Sequence, residues 1–89
     1  MMTSGQLKAA RALLGIDQSQ LAEMAGVSLA TIQRMEASEG TVRGVVDTLT
    51  KVVDALSAAG VELIGERQKS DDGGRGVRLK YPASQTSTR

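Results

Sequence analysis

The side chains best suited to specific recognition lie close together in the first half of the chain: Ser28, Thr31, Gln33 and Arg34, with the small apolar Ala30 among them. An arginine can donate two parallel bonds to O6 and N7 of guanine, and a glutamine amide can pair with N6 and N7 of adenine. An alanine or a threonine methyl can touch the C5 methyl of thymine. On a helical wheel of about 100° per residue, Ala30, Gln33 and Arg34 point one way, Ser28, Ile32 and Met35 the other, with Thr31 and Ala37 at the margins. The chemistry this favours is the reading of base edges. Competing chemistries lack their residues. With no Cys and no His in the chain, a disulfide framework, a Cys/His zinc site and His-based catalysis are excluded by inventory. No catalytic residue, metal ligand or cofactor is assigned. The Gly73-Gly74-Arg75-Gly76 run neither precedes a helical pattern nor carries the Gly-Lys-Ser/Thr ending of a phosphate-binding loop, so it reads as a turn.

A helix reads the major groove only if the rest of the protein holds it at the surface with one face free. The elements that would do so are legible. Leu7, Ala10 and Leu14 recur at helical spacing from Ser4 to Leu14, with Thr3 or Ser4 as N-cap and Gly15 as stop. Asp17 and Gln20 form a capping-box pattern that opens a second short helix to Ala25, where Gly26 breaks it. Ser28 caps a third segment, LATIQRMEA. Two short helices joined by a tight turn containing glycine make a helix-turn-helix. After a loop at Ser38–Thr41, Val45, Val46, Leu49, Val52, Val53 and Leu56 form the longest apolar stripe, ending at Gly60. Val61–Ile64 and Gly76–Tyr81 then read as two strands of a hairpin, with Pro82 and a Ser/Thr/Gln-rich end closing the chain. Met24 and Met35 are expected to be core or near-core filler.

Size and charge bound what remains. The 89 residues include one Tyr and no Phe or Trp, so the core must be aliphatic, and one small domain with a tail is all the chain allows. No run approaches the roughly 20 apolar residues of a membrane span, and the first fifteen residues lack the apolar run of a signal peptide. The expected setting is soluble and cytoplasmic. Residues 1–65 carry five basic against seven acidic side chains, and residues 66–89 six against three, so the C-terminal end is the basic one. Arg75, Arg78 and Lys80 are candidates for holding DNA electrostatically.

The run QSQLAEMAGVSLATIQRME resembles the helix-turn-helix of the XRE, or Cro/repressor-type, regulators. Its motif elements are Gln18, Leu21-Ala22, the turn glycine Gly26 followed by Val27-Ser28, Ile32, and the Arg-x-Glu ending at Arg34 and Glu36. With a helix before the motif and a long one after it, the resemblance covers roughly residues 4–60. AGVELIGE and GGRGVRLK are similar to the endings of many small bacterial regulators. The resemblance implies a mainly α, lambda-repressor-like bundle of four helices with a C-terminal β-hairpin. It also implies double-stranded DNA as the ligand. Position by position, it makes Gln18 a phosphate contact, places Ser28, Leu29, Ala30, Gln33 and Arg34 against DNA, and makes Arg11 and Glu36 an internal salt bridge. Thr31 and Arg43 complete the candidate DNA-binding set. The family often has larger polar residues where this chain has Leu29 and Ala30, so base reading there is expected to be mainly apolar.

These readings divide the chain into a DNA-binding domain at 1–60, a hairpin at 61–81 and a disordered tail at 82–89. Val61, Leu63, Ile64, Val77 and Leu79 are too many apolar residues for a lone ribbon. Their expected cover is the same hairpin of a second subunit, and the alternative is a fold back onto the chain's own helices. The expected function is a transcriptional regulator, most simply a repressor, acting as a homodimer on a palindromic operator. One alternative is an antitoxin that represses its own operon and grips a toxin through the C-terminal segment. Another is a protein-interaction adaptor that has lost DNA binding.

Overall fold

The computed structural model describes residues 2–42, 44–65 and 73–80. Arg43, Tyr81 and the expected tail at 82–89 lie outside the described residues. Four helices, α1 (Ser4–Leu14), α2 (Gln18–Ala25), α3 (Leu29–Glu36) and α4 (Val46–Ala58), precede two strands, β1 (Val61–Ile64) and β2 (Gly76–Leu79). The architecture is the mainly α bundle with a C-terminal hairpin that the sequence implies.

Local chemistry sets the helix ends. Thr3 Oγ1 accepts from the Gln6 amide N–H at 3.1 Å while Gln6 Oε1 accepts from the Thr3 N–H at 2.9 Å, a reciprocal box that satisfies two orphan donors. Asp17 and Gln20 repeat the arrangement at α2, both bonds being 2.8 Å. Helix α2 ends at Gly26, whose φ of 71° lies in the left-handed region, and the Val27 N–H closes the turn by donating to the Ala22 carbonyl at 3.0 Å.

The core is aliphatic. Leu7, Leu21, Ile32, Met35, Val52, Leu56 and Val61 are its largest fully enclosed side chains. Helix α2 packs on α3 and α4, while α1 packs on α3 and on both strands. Two sequence expectations are corrected here. Met24 is exposed, not core filler. Val45 and Val46 are 68% and 72% exposed, so the stripe of α4 begins at Leu49. A helical side chain covers the turn N-terminal to its own Cα, and for these two valines that turn is the chain's entry into the helix, where no packed neighbour waits. Conversely, Met2 is buried at 3% exposure beside Val42, because the N-terminal segment pairs with the α3–α4 loop. The Val42 N–H donates to the Met2 carbonyl, and the Ser4 N–H to that of Gly40, both at 2.9 Å.

The strands pair antiparallel, Val61 opposite Leu79, Glu62 opposite Arg78, Leu63 opposite Val77 and Ile64 opposite Gly76. With a side-chain period of two, Val61, Leu63, Val77 and Leu79 share one face, and that face packs on the core between α1 and α4. The expectation that these residues need a second subunit for cover is therefore corrected in part: the helices of the same chain enclose Val61, at 2% exposure, and cover Leu63, Val77 and Leu79 partly. Ile64 lies on the opposite face with Glu62 and Arg78. Among the described residues, no helix is long and apolar enough to cross a membrane.

Candidate nucleic-acid interface

Helix α3 sits on α2 through Ile32 and Met35, both buried, which fixes its rotation about its own axis. Glu36 is buried on the same side. Leu29, Ala30, Gln33, Arg34 and Ala37 are exposed, and Thr31 is half-buried between the two sets. Residues 29, 30, 33, 34 and 37 cover a continuous arc of about 140° at 100° per residue. The outward face foreseen for Ala30, Gln33 and Arg34 is thus present, widened by Leu29 and Ala37. The guanidinium of Arg34 pairs with no carboxylate among the described residues.

Ser28 departs from the wheel, which groups it with Ile32 and Met35. It is exposed, because an N-cap stands outside the helical turn and follows no helical angle. Its Oγ accepts from the Thr31 N–H at 3.1 Å and lies 2.8 Å from Thr31 Oγ1, so the two hydroxyls share one hydrogen bond.

The α1–α3 connection is ionic. Arg11 Nε donates to Glu36 Oε2 at 2.6 Å and Nη2 to Oε1 at 2.8 Å, a fork-to-fork arrangement, while Nη1 reaches the Ile16 carbonyl at 3.2 Å. Gln18 Nε2 adds a third bond to Glu36 Oε1 at 2.9 Å. Burial works against the Glu36 carboxylate, but the hydrogen bonds from Arg11 and Gln18 and the charges of Arg11 and Lys8 outweigh it, holding its pKa below the ordinary value. The same hydrogen bonding raises Arg11 against a smaller cost of burial. Three segments thus meet at one carboxylate: α1 through Arg11, the first residue of α2 through Gln18, and the last turn of α3, which carries it, while the same guanidinium also holds the Ile16 carbonyl. The Gln18 amide is directed inward, onto Glu36, as well as standing at the start of α2.

The basic residues of the hairpin are engaged locally. Arg78 donates to Glu62 Oε1 from Nε at 3.0 Å and from Nη2 at 2.7 Å, and Lys80 Nζ donates to Ser57 Oγ at 2.8 Å and to its carbonyl at 3.2 Å. One contact escaped sequence reasoning altogether. Gln6 Nε2 donates to the Ile64 carbonyl at 2.9 Å and to that of Gly76 at 2.8 Å, pinning the far end of the hairpin to α1. Nothing in the local pattern around Gln6 points to a strand some sixty residues away.

A short helix held by its neighbour across a tight glycine turn, with a continuous outward arc of exposed side chains, has the form of a helix-turn-helix DNA-binding domain. A family model for helix-turn-helix domains matches residues 7–44, from within α1 to the loop before α4. Over those residues the chain is similar to the XRE-type helix-turn-helix, which supports a regulator that binds double-stranded DNA. No curated protein matches the chain.

Proposed function

We propose that the protein is a transcriptional repressor acting as a homodimer on a palindromic operator. In this reading Gln18, Ser28, Leu29, Ala30, Thr31, Gln33, Arg34 and Arg43 form the contact with each half-site. The single observation that carries it is the exposed arc of α3, held by buried Ile32 and Met35 on its other side. Arg34 and Gln33 supply directional donors to base edges. Gln18 and Ser28, at the starts of α2 and α3, stand where backbone N–H groups suit a phosphate.

Dimerisation follows from affinity. One small module makes few base and phosphate contacts, whereas two modules one helical turn apart gain effective concentration. The proposed contact is the hairpin, with Leu63, Ile64, Val77 and Leu79 contributing and Val61 acting from within. What supports it is an open groove of about 420 Å³ beside β1, lined by Val53, Ser57, Val61, Glu62, Leu63 and Lys80. In addition, among the described residues β1 has a strand on only one side. An unpaired strand edge is a template for another chain. The division at residue 60 is then one of role, since Val61 belongs to the same core as the helices.

The test is selection of bound duplexes from a random library, followed by sedimentation of the complex. A selected site with two-fold symmetry, bound by two chains, is the expected result, and Ile64→Asp, on the hairpin face turned away from the core, should leave half-site binding intact while abolishing cooperative occupancy. A single asymmetric site bound by one chain would refute the dimer.

A further inference from the structure

We infer that the front of α3 reads thymine through its C5 methyl group, by contact with Leu29 and Ala30; this rests on the DNA-binding reading of α3 above. The inference starts from what the front of the helix presents. Leu29 is the first residue of α3 and is 39% exposed, and Ala30 beside it is exposed as well. The polar groups flanking them are partly engaged with each other: the Ser28 and Thr31 hydroxyls lie 2.8 Å apart, and Ser28 Oγ also accepts from the Thr31 N–H, which leaves one hydroxyl hydrogen of the pair over. Between them, the surface that Leu29 and Ala30 present is apolar. The first amide side chain directed outward is Gln33, which on the wheel falls between Leu29 and Ala30 one turn further on.

In the major groove each base pair offers hydrogen-bonding edges, and thymine alone among the four bases adds an apolar group. A leucine set against the amino group of cytosine or adenine strips water from a donor and returns nothing. Set against a thymine methyl, it buries apolar surface on both sides. The same helix front therefore rejects polar edges and accepts one base, without a hydrogen bond to it. Leu29 makes the choice effective, because its branched end carries more contact area than the Ala30 methyl. Gln33, between them, suits adenine, so the two kinds of contact together favour a half-site containing A·T pairs in adjacent steps.

The experiment uses the full chain and a duplex selected from a random library. Each thymine of a half-site is replaced in turn by deoxyuridine, which removes the methyl group and leaves O4 and base pairing unchanged. Affinity should fall about four-fold at one or two positions per half-site, the effect of one buried methyl, and not at the others. In Leu29→Ala the penalty at one of those positions should disappear, with helical circular dichroism unchanged because Leu29 is a surface residue. Uniform indifference to deoxyuridine in a duplex that is otherwise bound specifically would overturn the thymine reading and leave DNA binding standing. Failure to select any duplex would overturn both.

Discussion

Arg11 and Glu36 face each other fork to fork, with bonds of 2.6 and 2.8 Å, and so join the middle of α1 to the last turn of α3. The carboxylate is 4% exposed and the guanidinium 21%. Deleting one partner of a fully buried pair costs about 3–5 kcal/mol because the other charge is left uncompensated. Here the guanidinium reaches water, so Glu36→Ala should destabilise the domain by less, about 2 kcal/mol. Urea unfolding followed by circular dichroism measures it, and a loss under about 0.5 kcal/mol, the level of an ordinary surface pair, would show the link to be incidental.

The same carboxylate gives stability a pH dependence of known sign. Its pKa is lowered from 4.5 in the folded protein, so its contribution is fully present above that ordinary value and is lost as pH falls through the folded one. The difference in stability between the parent and Glu36→Gln should accordingly be largest at neutral pH and shrink below pH 4.5. Arg11 is raised further from its already high ordinary value, so its titration adds nothing in this window. A gap that stays constant down to pH 3 would contradict the assignment.

Gln6 combines two roles that one substitution can separate. Its Oε1 closes the cap of α1, and its Nε2 holds the carbonyls of Ile64 and Gly76. Glutamate keeps the acceptor and removes the donor, setting a carboxylate against two carbonyls. Gln6→Glu should destabilise the fold by about 1–3 kcal/mol at neutral pH and recover on acidification, when the protonated acid donates again. Hydrogen exchange of the β1 and β2 amides should accelerate first.

Gly26 tests the turn. Its φ is 71°, and a Cβ there would meet nothing within 4 Å, so any cost of substitution is conformational and not steric. Gly26→Val should destabilise by more than about 1 kcal/mol, and Gly26→Asn by less, since asparagine tolerates the left-handed region better. Thermal melts of the two variants, compared with the parent, decide it; equal melting would remove the turn from the argument.

How much of this was legible in the sequence depended on range. The caps at Asp17 and Ser28, and the stops at Gly15 and Gly26, are local chemistry, and α2 and α3 begin where their caps predict; of the two caps the sequence offered for α1, Thr3 is the one used, and α4 starts at Val46 with no side-chain cap. The hairpin pairing, too, followed from alternation. What failed were judgements about the partner of an apolar surface. Val45 and Val46 continue the period of α4 but lie past its packed neighbours, Met24 follows an apolar residue pattern yet faces water, and Met2 carries no periodic signal and is buried. The cover of the hairpin was of the same kind: periodicity says that Val61, Leu63, Val77 and Leu79 share a face, not which helices meet it. At the candidate site, the wheel placed Ala30, Gln33 and Arg34 correctly and misplaced Ser28, whose capping geometry a wheel ignores.

That arc of α3 yields the last prediction. Arg34 is exposed, unpaired with any carboxylate among the described residues, and set on a helix whose rotation is fixed by Ile32 and Met35. If it forks onto guanine, Arg34→Ala should weaken specific binding by about 1–3 kcal/mol and relax preference at one base pair per half-site. If it holds a phosphate instead, affinity should fall equally for all sequences and the salt dependence should drop by roughly one counterion. Binding isotherms on the selected duplex and on one base-pair variants of it, each at two salt concentrations, distinguish the two. The fold should not change, since the side chain lies outside the core, so unaltered circular dichroism is expected for this variant. Equal losses across sequences would transfer Arg34 from reading to positioning, and Gln33, with the apolar front of the helix, would then carry the discrimination.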